Sequence, residues 1–475
     1  MKTKISLGAA MFLFASISLA QTENYDLSGY KMPNLKRQTL TFGYGMNGSN
    51  DIFKLNYDLA EKRKSFRGGL SLNYSFYRNT EKWQQSVSTR VSGHYNPKNW
   101  NGDESSTFHE KSLSKEFYNS FYSLSRYYFT PSFFVGTVGG FVLPDYELSV
   151  SSSYNKGIIP GYVEQSTKST HKSGSLSLSV GWGRIEPVQD YRQALFIIQD
   201  LIKEGKLNAN MDEEKALEVA RAVSKIRNRR FFDQRVKQKQ AVEYIDSVLQ
   251  ALEVVEKADA RYYTTLYDNW MPLYENRLYN NTMYEGVVER SAGHRLEVGV
   301  GPAINRFEYQ RKTIEYLNDL EDLYESYNNY STWRPFVNFT YEKPLNQALQ
   351  FSVYNRFFTQ YSKRTRTDTV TVVNNETSFR NMTTLNLGFY PTTRTNFNGS
   401  VGYFFYRNNV EMDTYKNNGF WAELSAYYYI SPRFRLTTQL DFNQGHSYRY
   451  KDLNEERDSH SKRLDFNLGL NYSLF

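Results

Sequence analysis

From Arg463 to Phe475 apolar and polar side chains alternate without a break. Leu464, Phe466, Leu468, Leu470, Tyr472 and Leu474 fall on one face of an extended strand. Arg463, Asp465, Asn467, Gly469, Asn471 and Ser473 fall on the other. A period of two gives a strand one dry and one wet surface, which no helix of this sequence would have. The pattern recurs upstream. Leu176, Leu178, Val180 and Trp182 oppose Ser177, Ser179, Gly181 and Gly183; Leu349, Phe351, Val353 and Phe357 oppose Gln350, Ser352 and Arg356; Phe434, Leu436, Leu440 and Phe442 oppose Arg435, Gln439, Asp441 and Asn443. Strands of this kind can cross a bilayer only when closed into a ring, so that no backbone edge meets lipid.

The rest of the composition is consistent with that constraint. Lys2 and Lys4 precede an apolar run from Ile5 to Ile17, and Ser18-Leu19-Ala20 then supplies small residues for cleavage before Gln21. Residues 1–20 are expected to be a secretory signal peptide, too short and wrongly flanked for a membrane helix. After it, no apolar run reaches the roughly 18 residues a spanning helix needs. The chain has no cysteine, which excludes disulfides, thiolate metal sites and a lipoprotein anchor. Mean hydropathy is low, at −0.66, as in barrels, where half of each strand faces water. The 40 Tyr, 32 Phe and 6 Trp fit aromatic girdles at two membrane surfaces. Of the 58 Lys and Arg in the full chain, removal of Lys2 and Lys4 leaves 56, only slightly above the 50 Asp and Glu. That is a mild excess, and nucleic acid is not an expected partner for an exported chain.

The expected organisation is an N-terminal arm over 21–37, a first part of a β-barrel over 38–185, an α-helical insertion over 186–282 and a second part of the barrel over 283–475. Strand patterns cover 38–46, 51–60, 66–78, 82–95, 117–130, 133–151, 173–184, 286–304, 333–342, 347–361, 379–390, 396–406, 419–430, 433–445 and 462–474. Merging 38–60 into one strand with a Gly bulge near Gly48 makes the number even, at 14; one missed strand would make it 16. Helical periodicity replaces alternation over 190–204, with Asp190 as N-cap and Gly205 as stop, then over 212–227, 232–256 and 258–269. Connections alternate between short proline turns, such as Lys343-Pro344-Leu345, and long polar segments at 96–112, 152–172, 306–331, 362–378, 407–418 and 446–461. In 306–331, Ile314, Leu317, Leu320 and Leu323 recur at spacing three, which predicts a short amphipathic helix. The helical insertion takes a short-turn position and is therefore expected on the periplasmic side.

Two features resemble known groups. Asn467-x-Gly469-x-x-Tyr472-x-Leu474 resembles the C-terminal signal read by the barrel assembly machinery, with Phe475 one residue past the usual end. The strand exit Gly183-Arg184-Ile185-Glu186-Pro187-Val188, the helical segment Lys225-Ile226-Arg227-Asn228-Arg229-Arg230-Phe231-Phe232-Asp233 and the Tyr341-Glu342-Lys343-Pro344 turn resemble uncharacterised Bacteroidota outer-membrane β-barrel proteins with a helical periplasmic insertion. The resemblance implies a transmembrane antiparallel up-and-down β-barrel in the cell outer membrane, in contact with outer-membrane lipid. It brings no catalytic or substrate-binding residues.

Candidate sites are few. Arg221, Lys225, Arg227, Arg229, Arg230, Arg235, Lys237 and Lys239 are opposed within their stretch only by Asp233. Such a run is either a solvated helix face paired with acidic neighbours or a contact surface for a periplasmic protein or anionic glycan. Arg184 and Glu186 are expected to pair at the barrel rim, beside a Gly that frees the backbone and a Pro that stops the ladder. His94, His109, His171, His294, His446 and His460 show no metal-ligand spacing, and no cofactor motif is present. Ser459, His460, Ser461 and His446 are the residues an outer-rim hydrolase could use, but no nucleophile elbow accompanies them. The expected function is a passive porin-like channel for small polar solutes, not an enzyme. The alternative is a structural barrel whose helices dock a periplasmic partner.

Overall fold

The computed structural model describes residues 25–55, 59–101, 108–155, 161–208, 211–229, 234–270, 290–315, 320–367, 371–392, 395–410, 413–431, 434–451 and 455–472. Residues 1–20, expected to be a signal peptide, and Leu474 and Phe475 of the expected C-terminal signal lie outside them, as do Arg230, Phe231 and Phe232. The strands are β1 Leu35–Leu55, β2 Leu59–Asn79, β3 Trp83–Asn101, β4 Phe108–Tyr128, β5 Phe133–Asn155, β6 Gly161–Trp182, β7 Ile185–Pro187, β8 Ser291–Val300, β9 Pro302–Glu315, β10 Leu320–Trp333, β11 Phe336–Pro344, β12 Leu349–Thr367, β13 Thr371–Phe389, β14 Thr395–Val410, β15 Asp413–Ser431, β16 Phe434–Lys451 and β17 Glu455–Tyr472.

All ladders are antiparallel and the long ones join sequence neighbours, as in an up-and-down wall. At the insertion, β6 pairs with β8 at its base and with β9 above. Strands β8 and β9 are one stave of the wall broken at Gly301, and β10 and β11 are one stave broken at Arg334-Pro335. The two breaks meet: the Arg334 backbone N–H donates to the Gly301 carbonyl at 2.9 Å. The three-residue β7 only pads the base of β8. Among the described residues fourteen staves remain, the first of the two counts expected from the sequence. The even count makes the first and last staves antiparallel.

The wall is an antiparallel up-and-down β-barrel wall, apolar outside and polar inside. Phe42 is 68% exposed and Leu464 67%, and Leu176, Leu178, Val180 and Trp182 all point outward as the alternation predicts. Among the described residues β1 and β17 share no ladder with each other, and they carry the most exposed apolar side chains. They form the seam.

Several expectations need correcting. The long polar segments are mostly ladder, not loop: β3 runs to Asn101, β12 to Thr367 and β16 to Lys451. Above the membrane both faces of a strand meet water, so apolar alternation fades while backbone pairing continues. At about 3.4 Å per residue, the 23 residues of β5 rise about twice the ~25 Å apolar band even when tilted about 45°. The helix expected around Ile314 and Leu320 is instead the β9–β10 hairpin, in register from Pro302 and Trp333 to Glu315 and Leu320. Residues 38–55 carry no bulge; the register with β2 is unbroken from Leu35 to Leu55.

Among the described residues the insertion forms four helices, α1 Gln189–Lys203, α2 Glu213–Asn228, α3 Gln234–Ala251 and α4 Ala260–Trp270. Gly205, at φ +64°, ends α1. Its N–H reaches the Ile202 carbonyl at 2.9 Å and the Lys206 N–H reaches Leu201 at 2.8 Å, which closes a Schellman motif. Asp212 caps α2 by accepting from the Lys215 N–H at 2.8 Å. Asp190 is not the cap of α1, because Val188 takes that position without a side-chain bond. Asp190 lies one residue inside the helix and pairs with Arg227. The helices bury a conventional core that includes Leu195, Ile198, Val219, Val223, Ile245, Leu249 and Leu266. The N-terminal arm joins it: Leu27 and Tyr30 are buried there, and Tyr30 stacks on Tyr191 with centroids 5.5 Å apart.

Candidate functional site: the inner face and its helical cap

The inner face of the wall has a densely packed base and a roomier upper part. Gly183, at φ +90°, turns the chain out of β6; a Cβ there would collide with the His294 carbonyl. Arg184 then reaches toward the β2–β3 turn. It donates to the Glu81 carbonyl at 2.7 Å, the Thr80 carbonyl at 2.8 Å and Asn79 Oδ1 at 3.0 Å. It also pairs with Glu186, which accepts from Asn79 Nδ2 at 3.1 Å. The expected Arg184–Glu186 pair is therefore present and serves as a tie.

On the other side, Arg192 of α1 donates to the Tyr390 carbonyl in the β13–β14 turn at 2.8 Å and lies over the Tyr390 ring. Arg290 donates to the Asn346 and Leu349 carbonyls at the β11–β12 turn, at 2.7 and 2.6 Å. The ties thus reach from the turn between staves two and three to the turn between staves ten and eleven. Arg192 lies on α1, while Arg184 and Arg290 sit on the segments that enter and leave the helical body, so the body is fastened through α1 and through both of its connections. Both arginines are buried, so their charge is matched by carbonyls and by the electron-rich ring of Tyr390.

Just above, the inner face is dry and ionic. Arg126 of β4 pairs with Glu297 of β8 at 2.8 Å, and Ser179 of β6 donates to the same carboxylate at 2.7 Å. Glu342 of β11 accepts from Gln350, Ser352 and Tyr354 of β12. Phe134 and Phe336 fill the remaining space, which requires bare backbone opposite them: a Cβ on Gly299 would sit 2.6 Å from the Phe336 ring. This layer packs the lower inner face of these staves. Removing one partner of such a buried pair leaves a stranded charge and costs about 3–5 kcal/mol. The sequence gives no local sign of it, because Arg126 and Glu297 are 171 positions apart.

Higher on the same face is a cavity of about 650 Å³, lined by Arg90, His94, Glu116, Glu147, His171 and Phe307 among others. His171 Nε2 lies 2.9 Å from Asn305 Oδ1. Cationic, anionic and aromatic groups share one wetted chamber of solute size.

The other predicted residues are dispersed. Asn467, Gly469 and Tyr472 lie on β17. In the basic stretch, Arg227 is buried against Asp190 and so leaves the proposed partner surface. Lys239 is exposed beside Glu243. Lys225 lies over the Tyr244 ring, and Arg229 follows the end of α2. Arg235 and Lys237 lie on α3. The outer-rim serines and histidines do not assemble: Ser459 faces Ser447 on one side of the ladder, while His460 faces His446 on the other. The strand period itself keeps each hydroxyl away from its neighbouring imidazole.

No protein-family model and no curated protein matches the chain. Among solved structures, it is similar to the TodX monoaromatic hydrocarbon channel (deltaS2 mutant) at 8% identity and TM-score 0.25, over 94% of this chain and 92% of that one. It is also similar to OmpT, an outer membrane protein of Vibrio cholerae, at 9% identity and TM-score 0.22, over 92% and 99%. A third is the translocator domain of the autotransporter NalP from Neisseria meningitidis, at 8% identity and TM-score 0.19, over 100% and 98%. At these scores the likeness adds nothing to what the ladders and the exposed apolar face establish.

Proposed function

We propose that this protein is an outer-membrane β-barrel channel that admits small polar solutes from the outer face into a polar chamber above a helical body on the periplasmic side. The single observation that carries the proposal is the polar, mixed-charge cavity on the inner face. Carboxylates and a guanidinium lining one cavity favour zwitterionic or neutral polar solutes over simple anions or cations. The protein works as a channel and not as an enzyme. Purified protein reconstituted in planar bilayers should show stepwise conductance. Glu116→Gln with Glu147→Gln should shift its selectivity toward anions, because Arg90 is then less opposed. A silent bilayer with protein demonstrably inserted would sink the channel.

A second reading is supported by the ties at Arg184, Arg192 and Arg290, which fasten α1 and the segments entering and leaving the helical body to the turns. A body held that firmly can serve as a docking domain for a periplasmic protein. Deleting 189–270 should then leave the wall in the membrane and release co-purifying partners. Recovery of the same partners after the deletion would defeat it.

A further inference from the structure

We propose that His446, Asp458 and His460 form a binding site for a first-row divalent transition-metal ion on the outward face of the β16–β17 hairpin. The ladder sets His446 directly opposite His460, and Asp458 follows on the same face of β17, two residues away. The imidazoles lie nearly parallel, with centroids 4.3 Å apart and planes 8° from each other. His446 Nε2 is 2.6 Å from one Asp458 oxygen, and His460 Nε2 is 3.8 Å from the other. One ligand atom from each residue lies within 4.8 Å of the other two. Ligands at about 2.0–2.2 Å around a tetrahedral ion stand roughly 3.3 Å apart. Side-chain rotation alone closes that difference, and the backbone already holds all three donors on one surface.

The donor set selects the ion. Two imidazoles and one carboxylate suit copper, nickel and zinc, and leave positions open to water; magnesium and calcium prefer all-oxygen sites. The position fits an aqueous ion. Phe442 and Leu464 are opposite each other on the outward apolar face, and His446 is four residues beyond, roughly 14 Å along the strand. All three side chains are accessible to the medium. The sequence hid the site because its ligands come from two strands, so no interval along the chain marks it. A bound ion would bridge the last two staves of the wall, beside the seam.

The test uses full-length protein in detergent, with any affinity-tag histidines removed. Calorimetric titration with Cu²⁺, Ni²⁺ and Zn²⁺ should show one equivalent bound, tightest for copper. His446→Ala or His460→Ala should weaken binding at least about tenfold, and Asp458→Asn should weaken it less. Substituting His94 and His171 in the cavity should leave the affinity unchanged. Electron paramagnetic resonance of the Cu²⁺ form should report two nitrogen ligands in the wild type and one in His460→Ala. Heat-modifiable migration in gels confirms that each variant is folded. Absence of stoichiometric binding by the wild type, or an unchanged affinity and spectrum in the folded His446→Ala and His460→Ala proteins, would overturn the assignment.

Discussion

The wall and the helical body use the same side chains in opposite senses. In the body, Ile198, Leu201 and Val223 are fully buried and the charged residues lie mostly outside. In the wall, Leu464, Phe466 and Leu468 face out, while Arg126 and Glu297 are buried within. Burial of apolar surface against protein stabilises the body at roughly 25 cal/mol per Å². The wall gains nothing comparable among its own outward side chains. Its apolar face is matched to lipid, and its coherence comes from backbone ladders that lipid cannot replace. One chain therefore contains a part that would fold in water and a part that needs a bilayer.

Truncation inside the body is the strongest way to separate the two. Ile198→Ala removes a fully buried side chain from the contact between α1 and the rest of the body and should cost about 2–5 kcal/mol there. The body should become sensitive to limited proteolysis while the wall keeps its heat-modifiable migration. Joint loss of both would mean that they fold as one unit. The converse change is Phe466→Arg. This side chain is 67% exposed, and on a water-facing surface its replacement would shift stability by less than about 0.5 kcal/mol. On a lipid-facing wall near the bilayer midplane it should cost about 2–4 kcal/mol. Unfolding titrations in vesicles discriminate between the two values, and a near-zero change would contradict the membrane assignment.

The two regions also differed in how much of them the sequence revealed. The apolar band announced every stave, because lipid on one side and water on the other impose a period of two. Outside the band that signal stops. The upper parts of β9 and β10 were expected to hold a helix because Ile314, Leu320 and Leu323 chanced on a helical spacing, although backbone pairing there needs no apolar side chains. The helices were legible from their periodicity and from Gly205 and Asp212. Asp190 was misassigned as a cap because a distant partner, Arg227, competes for its carboxylate. The Arg184–Glu186 junction was legible because the pair is local. The Arg126–Glu297 layer, the cavity and the histidine cluster were not, since each assembles across strands.

The smallest expected effect is electrostatic and belongs to the body alone. Asp259 precedes α4, accepts from Lys206 Nζ at 2.7 Å and from the Tyr262 N–H at 3.1 Å. The Lys206 hydrogen bond first, and the Tyr262 N–H second, hold its carboxyl down to about 2. A depressed carboxyl stabilises the folded state above its ordinary value near 4 and loses that contribution as pH falls through about 2. Asp259→Asn should therefore lower the melting temperature of the helical signal modestly near neutral pH, and the gap should close below about pH 2. The effect stays small because the carboxylate is solvent-accessible, and added salt should shrink it further. At the alkaline end burial raises the phenols of Tyr30, Tyr191 and Tyr262. Their contribution is complete below the ordinary tyrosine value of about 10 and is lost as pH climbs above it, in wild type and variant alike. A gap between wild type and Asp259→Asn that persists unchanged in strong acid would show that the Lys206 pairing does not stabilise the body.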